Sequence, residues 1–232
     1  MVDIKSNLEK IRTGIAEAAE KAGRNPSEIK LIAVSKTKPA EDINEAIKCG
    51  VTDVGENKAQ EVMEKCDHVE PVNWHFIGHL QRNKVKYIIN KVTLIHSVDS
   101  LKLAKEIDLR AAQEGHDMDV LIQINAANEE NKYGATFEET PALIKAILDE
   151  CKSINIKGLM SVVPIVEDPE DVSGYFRQTK ELFDKISSET KHERLKMEHL
   201  SMGMTHDFET AIREGSTMVR VGTAIFGERN YG

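Results

Sequence analysis

Eight short strand signals, separated by stretches of helical periodicity, constrain the fold of this chain more than any other feature of its sequence. They are Leu31 to Val34, Thr52 to Gly55, Asn73 to Ile77, Thr93 to His96, Asp119 to Ile124, Ile156 to Val162, Lys196 to Leu200 and Met218 to Val221. Each has strand length, and the unbroken Leu31-Ile32-Ala33-Val34 has the form of a strand covered on both faces. Between them, segments such as Glu41 to Lys48, Asp168 to Ser188 and Asp207 to Glu214 place apolar residues three and four apart, as a helix with one buried face does. Alternation of strand and helix implies parallel β/α units, and eight such units close into a barrel. The predicted fold is therefore α/β, a single (β/α)8 TIM-type barrel spanning 1–232 as one domain. An open doubly wound sheet is disfavoured, because no GxGxxG turn follows the first strand and no composition break marks two halves.

Ahead of the first strand, Ile4, Leu8, Ile11, Ile15, Ala18 and Ala19 recur at helical spacing until Gly23, which predicts an extra N-terminal helix. A chain that is 40% apolar and 30% charged can fill a core and dissolve its surface. The net charge of -8 supplies no basic field for nucleic acid or an anionic membrane, so a phosphate group would have to be held by local contacts. Cys49, Cys66 and Cys151 are odd in number and lack CxxC spacing, which suits reduced thiols. The N-terminal residues carry charges and form no apolar run of signal or membrane length, so a cytoplasmic protein, monomeric or weakly dimeric, is expected.

In such a barrel the chemistry gathers at the C-terminal ends of the strands. There the sequence places Lys36, on the same alternation as Ile32 and Val34, then Asn57, Asn125, Ser201 and Gly203. The final strand contributes Arg220, Gly222 and Thr223. Turns after the seventh and eighth strands are the recurrent phosphate site of the fold, since backbone N–H groups there lack partners and glycines let an anion approach. Ser201 and Thr223 add hydroxyl groups, so a bound phosphate is expected. Lys36 is the candidate nucleophilic amine, preferred over Lys38, which adjoins Pro39 outside the strand.

Plainer roles compete with each of these. Arg220 in an apolar strand could be paired with a carboxylate, Gly222 and Gly227 could simply end the last strand, and Asn57 could cap a helix. Glu61 and Glu64 read as a solvated helix face and the methionines as core. His75 and His79 are four apart but interrupted by Gly78, with no carboxylate motif, so no metal site is expected.

Taken in order, Leu31-Ile32-Ala33-Val34-Ser35-Lys36-Thr37-Lys38-Pro39, Gly55-Glu56-Asn57, Trp74-His75-Phe76-Ile77-Gly78, His96-Ser97-Val98-Asp99-Ser100, Gly158-Leu159-Met160, Leu200-Ser201-Met202-Gly203-Met204 and Val219-Arg220-Val221-Gly222-Thr223-Ala224-Ile225-Phe226-Gly227 resemble the pyridoxal phosphate homeostasis protein family, related to the N-terminal barrel of alanine racemase. The resemblance covers nearly the whole chain. It implies pyridoxal 5'-phosphate (PLP) held as a Schiff base on Lys36, with Ser201, Gly222 and Thr223 at the phosphate, Arg220 facing the pyridine nitrogen and Asn57 lining the pocket. It also implies a carrier that buffers PLP and hands it to apo PLP-dependent enzymes, with no catalytic residues assigned. Two enzymes remain as alternatives, a PLP-dependent racemase and a cofactor-free Schiff-base aldolase. The carrier is preferred because a racemase needs two bases and the barrel takes up nearly all of the residues present.

Overall fold

The computed structural model describes residues 2–129 and 132–228. Its strands are β1 (Lys30–Val34), β2 (Asp53–Glu56), β3 (Asn73–Phe76), β4 (Leu94–Val98), β5 (Met118–Asn125), β6 (Ile154–Val162), β7 (Leu195–Ser201) and β8 (Met218–Val221). Each pairs in parallel with the next, and β8 returns to β1 to close the barrel. The eight strands fall where the strand signals lie, with ends displaced by up to two residues, as is usual where pairing rather than composition sets the boundary.

The helices among the described residues are α1 (Ile4–Lys21), α2 (Ala40–Lys48), α3 (Ala59–Lys65), α4 (Val85–Ile88), α5 (Leu101–Glu114), α6 (Thr140–Glu150), α7 (Ser173–Glu189), α8 (Phe208–Arg213) and α9 (Thr223–Phe226). The long segment expected from Asp168 begins instead as a 3-10 turn, Pro169–Val172, because Pro169 favours a tight helical entry, and α7 follows it. Asp3 starts α1 by accepting from the Ser6 N–H, and the helix buries Ile4, Leu8, Ile11, Ile15, Ala18 and Ala19, the six residues picked out by spacing. Among the described residues, the helix that follows β8 is the four-residue α9, too short to cover the barrel wall there. The extra helix α1 fills that place, packing against α2, α8 and α9 and tied by Asn7 Nδ2 to the Ile225 carbonyl.

Side chains alternate between the helix layer and the barrel interior. Ala33, Val54, Trp74, Phe76, Ile95, Val120, Ile122, Val219 and Val221 join the outer core. Leu94, Leu121, Met160 and Met218 form a separate small cluster inside. Ile32 is buried on the same inner face beside Gly55, and the polar side chains of the interior connect to the site described below.

The three cysteines are unpaired. Cys151 is fully buried, and burial, reinforced by Asp108, pushes its thiol up to about 11. A thiol so placed is almost all protonated at neutral pH and shielded from reagents. In the native protein an aromatic disulfide reagent should therefore modify Cys49 and Cys66, while Cys151 reacts only on unfolding. Peptide mapping that finds Cys151 labelled at the rate of the other two would contradict this placement. No helix among the described residues is long and apolar enough to cross a membrane.

Candidate functional site at the C-terminal mouth

β1 stops at Val34, and Lys36 lies two residues beyond, in a tight turn closed by the Lys38 N–H donating to the Ser35 carbonyl. Thr37 occupies the third position of that turn with φ of 64°. A left-handed β-branched residue costs about 1–3 kcal/mol and persists only where its surroundings hold it. Here they do so on both sides of Lys36. The Thr37 N–H donates to Glu61 Oε2 at 2.6 Å, the Ser35 hydroxyl donates to Glu56 Oε1 at 2.7 Å, and Lys65 Nζ donates to the Ser35 carbonyl at 3.0 Å. Lys65 also pairs with both Glu56 and Glu61 at 2.7 Å. Glu61 is thus no solvated charge, as its helix spacing had suggested, but a half-buried acceptor that ties α3 to the lysine turn; Glu64 is exposed.

Two carboxylates share one ammonium in this cluster, and burial separates them. Burial outweighs Lys65 and Ser35 to raise the Glu56 carboxyl above its ordinary range. At Glu61 burial is overcome by hydrogen bonds from Lys65 and Thr37, and the carboxyl is lowered.

Arg220 is buried inside β8. Its Nη1 donates to the carbonyl and the hydroxyl of Ser201, both at 2.7 Å, and its Nη2 donates to the Ser161 carbonyl at 2.9 Å. Among the described residues no carboxylate lies at ion-pair distance from it, so the expected structural partner is not what holds it. Burial, opposed by Asp207, lowers the guanidinium only to about 10, and it stays charged at neutral pH. Ser201 is fully buried, its hydroxyl between Arg220 and His96.

The remaining candidates ring the same mouth. Gly222 abuts the end of β1, where a Cβ would lie 3.0 Å from the Val34 carbonyl oxygen, so its turn and the Lys36 turn are neighbours. Thr223 opens α9, whose first N–H groups have no helical partners. Gly203, at φ of 89°, has no room for a side chain because Ala211 Cβ would lie 2.7 Å away. Asn57 does not cap a helix: α3 starts after Lys58 without a side-chain cap, and Asn57 Oδ1 is a buried acceptor left without a partner. His75 and His79 part company, His75 bonding inside the barrel and His79 stacking on Tyr133. No group of three or more His, Cys, Asp or Glu converges among the described residues as a metal cage would.

This donor set fits a ligand with an anionic group and a carbonyl. It combines a primary amine on a constrained turn, a permanent buried cation, glycine turns that permit close backbone approach, and an orphaned acceptor on Asn57. The Glu56–Lys65–Glu61 clamp and the His75–His96 pair were not singled out in the sequence.

The model of the alanine racemase N-terminal domain matches residues 6–230. A pyridoxal phosphate homeostasis protein of Aquifex aeolicus strain VF5 is 45% identical over 226 residues, covering 97% of each chain. A crystal structure of an unknown protein from Bifidobacterium adolescentis superposes with a TM-score of 0.87 at 35% identity, covering 97% of each chain. PipY of Synechococcus elongatus PCC7942, solved with PLP bound, superposes with a TM-score of 0.79 at 31% identity, covering 92% of this chain and all of that one.

Proposed function

Since the chain belongs to the pyridoxal phosphate homeostasis protein family, built on the alanine racemase N-terminal-domain barrel, we propose that it binds PLP through Lys36 and carries it to apo PLP-dependent enzymes without turning over a substrate of its own. Lys36 would hold the cofactor through its amine, which can condense with an aldehyde with loss of one water. PLP, when bound to an enzyme, supplies an electron sink through its protonated ring nitrogen. The observation that most bears on the reading is the state of Arg220. A buried guanidinium that stays charged, fixed by Ser201 and Ser161, would present hydrogens rather than a carboxylate to the ring nitrogen and discourage its protonation, which suits a carrier although racemases tolerate such an arginine too. Gly222, Thr223 and Gly203 provide the phosphate cradle, and Asn57 offers its unsatisfied oxygen to the pocket rim.

In this reading Ser201 would stand at the phosphate end, its hydroxyl oxygen accepting from Arg220. Loaded protein mixed with an apo-aminotransferase should restore the aminotransferase's activity. In deuterated water the loaded protein should leave the α-hydrogen of free amino acids unexchanged. Exchange at catalytic rates would replace the carrier with a racemase-like enzyme, and failure to bind PLP at all would favour a cofactor-free Schiff-base aldolase.

A further inference from the structure

A continuous file of polar side chains runs down the barrel axis from the cofactor site to the opposite mouth. Arg220 Nη1 donates to Ser201 Oγ at 2.7 Å, Ser201 Oγ lies 3.0 Å from His96 Nδ1, and His96 Nε2 lies 2.9 Å from His75 Nδ1. His75 Nε2 lies 2.8 Å from Asp53 Oδ1, which also accepts from Lys30 Nζ at 3.1 Å. Asp53, His75, His96, Ser201 and Arg220 are all buried. Beyond Lys30 the file opens into a cavity of about 190 Å3 at the N-terminal ends of the strands, lined also by Asn73, Asp119 and His199.

The two ends fix the sense of every link. Arg220 can only donate, and an ionised Asp53 can only accept. Burial opposes the Asp53 charge, but hydrogen bonds from His75, Thr52 and Lys30 overcome it and hold the carboxyl well below the usual range. Burial keeps His96 neutral, with His75 and Arg220 acting in the same direction. With both imidazoles neutral, one arrangement satisfies all the bonds. Arg220 donates to Ser201, Ser201 to His96 Nδ1, His96 Nε2 to His75 Nδ1, and His75 Nε2 to Asp53. The single hydroxyl hydrogen of Ser201 then points down the axis and is not available to an anion above.

A proton admitted to this file would reverse the upper links: His75 Nδ1 would donate to His96 Nε2, His96 would carry its hydrogen on Nδ1 and donate to Ser201, and the Ser201 hydrogen would be released toward the mouth. Around His75 stand Asp53 of β2, paired with Lys30 of β1, and His96 of β4, while Asp119 of β5, paired with Lys157 of β6, and His199 of β7 line the same cavity.

We propose that His75 and His96 are positioning residues that couple protonation along the barrel axis to the hydroxyl of Ser201, so that an anion seated at the C-terminal mouth draws one proton into the barrel. The inference rests on the PLP reading only for the identity of that anion.

Calorimetric titration of the full chain with PLP, and separately with inorganic phosphate, in buffers of different ionisation enthalpy counts the protons taken up. The parent should take up about one more proton per bound PLP than Asp53→Asn, which keeps an acceptor oxygen for His75 Nε2 but removes the charge that would stabilise imidazolium. Affinity in the parent should then rise about tenfold more per unit fall in pH than in the variant, over the imidazole range. Asp53 lies at the far end from Lys36, so a merely structural role would not change this count. Nitrogen NMR of the histidine rings supplies a second readout that needs no variant, with His96 moving from the Nε2–H to the Nδ1–H form on loading. Equal proton counts in parent and variant, or an unchanged His96 tautomer, overturn the proposal. If PLP fails to bind but phosphate binds, the PLP reading falls and the relay is judged on phosphate; if neither binds, the relay falls too.

Discussion

Lys36→Ala should abolish the near-visible absorbance that PLP acquires on the protein and lower its retention by on the order of 100-fold or more, about 2.7 kcal/mol. The proposed phosphate cradle around Gly222 and Thr223 and the cation of Arg220 remain in the variant, so weak, non-covalent binding should survive while the band does not. Borohydride should fix PLP irreversibly to the parent, and the adduct should map to Lys36. Lys38 is the control, since its Nζ donates to the Glu228 carbonyl at 2.8 Å and its backbone closes the turn. Lys38→Ala should therefore keep the band. An adduct mapping to Lys38, or a band that persists in Lys36→Ala, would move the covalent site.

The barrel was legible because two independent signals agreed: the count of strand-like runs and the helical spacing between them. The candidate ring at the C-terminal mouth was legible for a related reason, since the C-terminal strand ends are where a parallel barrel gathers its functional polar groups from distant parts of the chain. The unforeseen features have one physical cause. Asp53, His75 and His96 sit on different strands, and their contacts follow from barrel closure and register, such as Gly55 opposite His75 and His75 opposite Leu94, rather than from local spacing. Alternation along each strand did contain a hint, because Lys30 with Ile32, Asp53 with Gly55, and Met218 with Arg220 all place polar groups on one alternation with Lys36. Glu61 was misjudged for the opposite reason. Its spacing with Lys65 on α3 is that of an ordinary surface pair, and only the position of the Thr37 amide makes it structural.

Lys65→Met should be the most destabilising single change around the lysine turn, by about 3–5 kcal/mol, because it leaves a buried carboxylate without its counter-charge. Glu56 is fully buried and its Oε2 has no partner even in the parent, while Lys65 satisfies Glu56, Glu61 and the Ser35 carbonyl at once. The pH dependence identifies the cause. Burial already raises the Glu56 carboxyl, and removing Lys65 raises it further, so the variant must hold a proton there to avoid an uncompensated charge. A group whose folded pKa is raised contributes stability that is complete below its unfolded pKa and lost as pH rises through the folded value. The deficit of Lys65→Met, measured from urea midpoints, should accordingly shrink as pH falls toward the carboxylate range and widen toward neutrality. Adding Glu56→Gln removes the titrating group, so the double variant should recover part of the loss at neutral pH and show a flatter profile. A deficit independent of pH and unrelieved by Glu56→Gln would assign the role of Lys65 to its bond with the Ser35 carbonyl. Borohydride trapping separates the same alternatives at the site, because a clamp that holds Thr37 in its left-handed conformation also holds Lys36, and its loss should slow adduct formation even in the double variant.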